Sequence, residues 1–117
     1  MTPKKQIAVL GSTGSIGVQT LDIISEYPDR FRACLLVAGN NVDLLIKQAI
    51  KYKPDLAIIA NETLYSTLKE ALKGYGIATA SGAKAIAEAM SLPQIDIVVT
   101  ATVGYSGLEP TLHAIEA

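Results

Sequence analysis

Ile7-Ala8-Val9-Leu10-Gly11-Ser12-Thr13-Gly14-Ser15-Ile16-Gly17 decides the fold of this chain. Four successive apolar residues without polar alternation read as a strand buried on both faces. The glycines that follow at three-residue steps read as a tight turn opening into a helix. Gly11 permits the turn, Gly14 lets the backbone approach an anion with no Cβ in the way, and Gly17 lets helix and strand pack closely. Backbone N–H groups at the helix start, together with the helix dipole, suit a phosphate. Ser12, Thr13 and Ser15 add hydroxyl donors at the place where the anion would sit.

Working outward, four more apolar runs recur at even spacing: Ala33–Ala38, Leu56–Ala60, Gly76–Thr79 and Ile95–Ala101. Helical periods lie between them. Ile16, Leu21 and Ile24 share a face ahead of Pro28, and Leu44, Leu45 and Ile50 follow Asn40-Asn41 and end at Pro54. Leu64, Leu68 and Leu72 repeat at four-residue steps behind Asn61, a good N-cap, and stop at Lys73-Gly74. A fourth helix opens at Ser81 and runs through an alanine-rich segment to a stop near Pro93. Strands that are apolar throughout need helices on both faces, and alternation with helices calls for right-handed parallel crossovers. The expectation is an α/β fold: a Rossmann-like, doubly wound parallel sheet of about five strands with helices on both faces.

The 117 residues are 50% hydrophobic and 18% charged, with 10 basic and 11 acidic side chains and a net charge of −1. This describes one domain with much of its sequence buried and excludes disorder as its main state. Lys and Arg are scattered singly or in pairs, which leaves no electrostatic footprint for nucleic acid. No apolar run is long enough to span a bilayer, and no signal peptide is visible ahead of the first strand. The one cysteine, Cys34, lies within an apolar run and reads as a small core residue of a protein from a reducing compartment.

The G-x-x-G-x-x-G spacing is a variant of the dinucleotide fingerprint, and the turn lacks the Gly-Lys-Ser/Thr of a P-loop. At the tip of the second strand, Val37-Ala38-Gly39-Asn40-Asn41 carries no acid. A carboxylate there would serve the adenosine ribose of NAD and repel a 2′-phosphate, whereas amides and backbone N–H groups can donate to one. The tip therefore favours NADP over NAD. Asn40 and Asn41 can also cap the second helix, and Asp43 is the nearest acid that could reach a ribose. Val98–Gly104 takes the fifth strand off its carboxyl end, at the same edge as the glycine turn.

These segments, with Thr20-Leu21-Asp22, Val103-Gly104, Gly107-Leu108 and Pro110-Thr111-Leu112, resemble the 1-deoxy-D-xylulose 5-phosphate reductoisomerases over essentially the whole chain. The likeness covers only the N-terminal NADPH-binding part of that longer enzyme, so residues 1–117 are expected to form the cofactor domain, without the family's metal-binding and C-terminal domains. The resemblance implies that Thr13, Gly14, Ser15 and Ile16 contact the dinucleotide, with Gly39, Asn40 and Asn41 near the adenosine ribose and its 2′-phosphate. Family members often carry Lys or Arg in place of Asn40, so a neutral amide here replaces a cation. The family reaction rearranges deoxyxylulose phosphate and reduces it with NADPH to methylerythritol phosphate, in isoprenoid precursor synthesis. Mg2+ or Mn2+ assists, held by ligands with no counterpart in this chain. The resemblance further implies a cytoplasmic enzyme that is a homodimer at full length, and a 117-residue chain that is inactive alone.

The acids Asp22, Glu26, Asp29, Glu62, Glu70, Glu88 and Glu116 read as solvated helix faces, and His113, the only histidine, has no identifiable orienting partner. Residues 109–117 read as a helix with Pro110 near its first turn and no closing signal, as though cut. Leu112 and Ile115 are then expected to lack their cover and to promote self-association. The rival readings are another NADP-dependent dehydrogenase, related to semialdehyde or homoserine dehydrogenases, and a non-catalytic nucleotide sensor or response-regulator-like domain. The latter needs aspartates clustered at strand ends, where this chain has Leu10-Gly11.

Overall fold

The computed structural model describes residues 4–100 and 114–116. The first apolar run forms β1 (Lys5–Leu10), followed by α1 (Ser15–Glu26), β2 (Phe31–Ala38), α2 (Val42–Tyr52) and β3 (Leu56–Ile59). A 3-10 turn (Glu62–Leu64) leads into α3 (Tyr65–Leu72), then β4 (Ala78–Ser81), α4 (Gly82–Ala89), β5 (Ile97–Thr100) and β6 (Ala114–Glu116). The sheet order is β4-β3-β2-β1-β5-β6, with the first five strands parallel and β6 antiparallel to β5.

The chain winds outward from β1 to β4 and then crosses back to place β5 on the other side of β1. Right-handed crossovers require the helices to change faces at that reversal, and the two halves of the core record it. Leu21 and Ile24 of α1, Leu45 and Ala49 of α2, and Leu68 and Leu72 of α3 pack with Ile7, Val9 and Leu36 on one face. Ala89 and its α4 neighbours Ala85 and Ile86 cover Ala8, Leu35, Val37 and Ile58 on the other. Each fully buried Leu or Ile contributes about 1.5–3 kcal/mol, so both faces of the central strands are held.

One irregularity matters for the site. Ile7 pairs with Ala33 but Ala8 pairs with Leu35, so Cys34 is an extra residue in β2. Cys34 and Leu35 therefore face the same side, and the shifted register sets Leu10 against Val37 at the carboxyl end. Cys34 is buried, in agreement with its reading as a core residue, and burial pushes its thiol up to about 11.

The helix expected over 109–117 is corrected at its end, where Ala114–Glu116 form a strand paired with Ile97–Val99. On the side not taken by β1, β5 offers a ladder, and pairing with it satisfies backbone groups of these three residues. Pro110, Leu112 and His113, and the side chains of Ile115 and Glu116, lie outside the described residues. The fourth strand runs two residues later than expected, because Gly74 and Gly76, with φ of 92° and 73°, shape the preceding turn. Among the described residues, no helix is long and apolar enough to cross a membrane.

Candidate cofactor site

The reversal of winding direction lies between β1 and β5, where Leu10 pairs with Thr100. In open α/β sheets this is the crevice that takes ligands. Residues 101–104 of the segment expected at its far wall lie outside the described residues. The near wall is the glycine turn. Gly11 has φ 84°, a left-handed conformation that favours glycine, and its N–H and that of Ser12 both donate to the Val37 carbonyl, at 2.7 and 3.0 Å. The turn is thereby fastened to β2.

Gly14 occupies the N-cap position of α1 with extended backbone (φ −79°, ψ 173°), and its N–H donates to the Gly11 carbonyl at 3.1 Å. No side chain caps the helix. Gly17 meets the turn so closely that a Cβ there would overlap the Gly11 carbonyl oxygen and approach the Ser12 Cα to 2.7 Å. This is the close packing expected of the third glycine. The internal bonds occupy the N–H groups of Gly11, Ser12 and Gly14, whereas those of Thr13, Ser15 and Ile16 have no protein partner among the described residues. Thr13 and Ile16 are half-buried and Ser15 is exposed.

Ser12 does not add a hydroxyl at the open side of the turn, as its sequence position suggested. It is fully buried, and its Oγ has no hydrogen-bond partner. The Ser12 carbonyl instead accepts a 2.8 Å bond from Nε2 of Gln48, itself buried on α2. Sequence reasoning missed Gln48; the signal that could have found it is a polar residue on the helix face that also carries Leu45 and Ala49.

The second half of the site is the tip of β2. Gly39, Asn40 and Asn41 are all exposed, and a Cβ added at Gly39 would meet nothing within 4 Å. Asn41 caps α2, its Oδ1 accepting from the Leu44 N–H at 3.2 Å. The Asn40 Oδ1 accepts from Nδ2 of Asn61 at 3.0 Å, which leaves the Asn40 amide as a donor with no partner among the described residues. Asn61, expected only as a helix cap, thus also braces the tip: its N–H bonds the Gly39 carbonyl while its Oδ1 takes the N–H and hydroxyl of Thr63. Asp43 lies in the first turn of α2, where an acid complements the helix dipole.

The arrangement fits a dinucleotide: N–H groups without protein partners among the described residues at one strand end, and an open, amide-bearing tip without a carboxylate on the adjacent strand. It does not fit a divalent ion. Asp22, Glu26, Asp29, Glu62, Glu70 and Glu88 are exposed, and among the described residues no three His, Cys, Asp or Glu side chains converge.

The family model described as 1-deoxy-D-xylulose 5-phosphate reductoisomerase matches residues 7–117. A protein of that name from Porphyromonas gingivalis is 60% identical over 114 residues, covering 97% of this chain and 30% of the relative. Another, from Bacteroides thetaiotaomicron, is 51% identical over 97% of this chain and 29% of its own length. The chain thus spans less than a third of the curated relatives it matches. Among solved structures, the Zymomonas mobilis reductoisomerase in complex with NADPH superposes with a TM-score of 0.81 at 40% identity, over 86% of this chain and 26% of that one. A reductoisomerase in complex with magnesium gives 0.79 at 34% identity, over 90% and 26%. Glycine turn, neutral strand tip, sheet order and extended sequence identity all agree: the chain belongs to the 1-deoxy-D-xylulose 5-phosphate reductoisomerase family.

Proposed function

We propose that this chain binds NADPH as the cofactor-holding part of a 1-deoxy-D-xylulose 5-phosphate reductoisomerase. When bound, the nicotinamide supplies the hydride for reduction of the rearranged phosphosugar. The chain's own residues hold and orient it. The N–H groups of Thr13, Ser15 and Ile16 receive the pyrophosphate, with Gly14 keeping the approach open, and the hydroxyls of Thr13 and Ser15 add neutral donors. Gly39, Asn40 and Asn41 take the adenosine ribose and its 2′-phosphate.

The observation that carries this reading is the pairing of an uncapped α1 start with an open, acid-free β2 tip on the neighbouring strand. The relative solved with NADPH supports the choice of cofactor. Divalent-metal and substrate binding are assigned to other parts of the enzyme. The isoprenoid-precursor role, the cytoplasmic location and the homodimer of the whole enzyme rest on family resemblance alone.

Titration with NADPH, NADH and AMP tests the proposal. NADPH is expected to bind most tightly, with NADH weaker because it lacks the 2′-phosphate. Equal, millimolar binding of all three contradicts it.

A further inference from the structure

We infer that Gln48 is a positioning residue for the cofactor: from α2 it sets the orientation of the Thr13 N–H in the glycine turn and locks the two halves of the dinucleotide site to each other. The inference rests on the NADPH reading above and goes beyond it to a residue that does not line the site.

The geometry is local and specific. The Gln48 Nε2 donates to the Ser12 carbonyl at 2.8 Å across 36 residues of sequence. No peptide of the described residues is cis, so the carbonyl of Ser12 and the N–H of Thr13 point in opposite directions from one rigid plane. Holding the carbonyl toward α2 therefore aims the Thr13 N–H away from α2, where it has no protein partner among the described residues. A turn rich in glycine has many accessible peptide orientations. The Gly11 and Ser12 N–H groups are fastened to Val37 and the Gly14 N–H to Gly11, but neither contact fixes the plane between Ser12 and Thr13. Gln48 does.

The same helix begins at Asn41, on the tip proposed to take the 2′-phosphate. Seven residues at the helical rise set Gln48 about 10 Å along the axis from that tip. One rigid element thus carries the cap beside the adenosine end and the brace for the pyrophosphate end. Both bonding groups are buried, so water cannot replace the lost donor without opening the packing.

The test compares wild type with Gln48→Met, which keeps length and removes the donor, and Gln48→Leu, which removes the polar head altogether. Calorimetry on the full chain measures NADPH and 2′-AMP, a probe that engages the β2 tip and has no pyrophosphate. Both variants are expected to weaken NADPH about tenfold, the scale of one buried hydrogen bond, and to leave 2′-AMP within about twofold. Unchanged NADPH affinity in either folded variant overturns the inference, as does an equal loss for both ligands, which marks general destabilisation. If Gln48→Met does not fold by circular dichroism, Gln48→Leu decides. Wild type that binds 2′-AMP but not NADPH overturns the cofactor reading and this inference with it, whereas tight wild-type NADPH binding with insensitive variants overturns this inference alone.

Discussion

Gly17 lies against Gly11 with no room for a side chain between them, the Gly11 carbonyl oxygen occupying the position that a Cβ on Gly17 would take. The oxygen is backbone, within a turn already bonded to β2, so it cannot move aside as a side-chain end would. The first turn of α1 is thereby seated directly on the turn that precedes it.

Gly17→Ala is therefore expected to destabilise the fold by about 1–3 kcal/mol or more, as for an overpacked core, and to weaken NADPH binding beyond that loss. Gly39→Ala, where a Cβ meets no protein atom, is expected to leave stability nearly unchanged and to act only on binding. Chemical denaturation alongside NADPH titration checks the contrast; equal stability losses in the two variants would refute it.

The amide of Asn40 is the only donor its side chain offers the proposed 2′-phosphate. Asn40→Lys is expected to tighten NADPH by roughly twofold to fivefold at low salt, with little effect on NADH, since an exposed charge pair contributes up to about 1 kcal/mol and is screened by salt. Paired titrations at two ionic strengths read this out. An NADPH affinity that does not rise, or an equal gain for NADH, would count against placing the 2′-phosphate at this tip.

Much of the architecture was legible because its signals are local. The apolar runs of β1, β2, β3 and β5, the cap at Asn41 and the stop at Lys73-Gly74 each depend on neighbouring residues alone. The strand at Ala114–Glu116 was not legible, because its partner is an edge of β5 that only the folded sheet supplies. The same holds at the site. The glycine spacing disclosed the turn, but the burial of Ser12, the bond from Gln48 and the brace from Asn61 are contacts between segments far apart in sequence. Gln48 left one trace, a polar side chain on an apolar helix face.

Arg32 and Asp55 provide a contrast at the amino ends of β2 and β3, opposite the candidate site. The guanidinium makes two bonds to the carboxylate, at 3.0 and 3.1 Å, and further bonds to the Gln6 side chain and the Lys53 carbonyl. The Asp55 hydrogen bonds raise the Arg32 pKa further. Both groups are partly exposed, so Arg32→Met is expected to cost only about 1 kcal/mol in denaturation and to leave NADPH affinity unchanged. A loss of cofactor affinity would show that the two ends of the strands are coupled.

Cys34 predicts a pH dependence. Burial raises its thiol from 9.0 to about 11 in the folded chain. The folded state then holds the proton that the unfolded state releases, so the stabilisation is fully present below pH 9 and is lost as pH rises toward 11. Cys34→Ala is expected to flatten the fall in stability over that window relative to wild type, and the native thiol is expected to resist alkylation at pH 8. Rapid native alkylation, or parallel stability profiles, would contradict this.

The most direct test of the account is the backbone amide spectrum of the 15N-labelled chain during titration with NADPH. The largest shifts are predicted at Thr13, Ser15 and Ile16 and at Gly39, Asn40 and Asn41, with Arg32 and Asp55 unmoved. Saturating NADPH that leaves the Thr13, Ser15 and Ile16 amides unshifted, or that shifts another part of the chain instead, would contradict it.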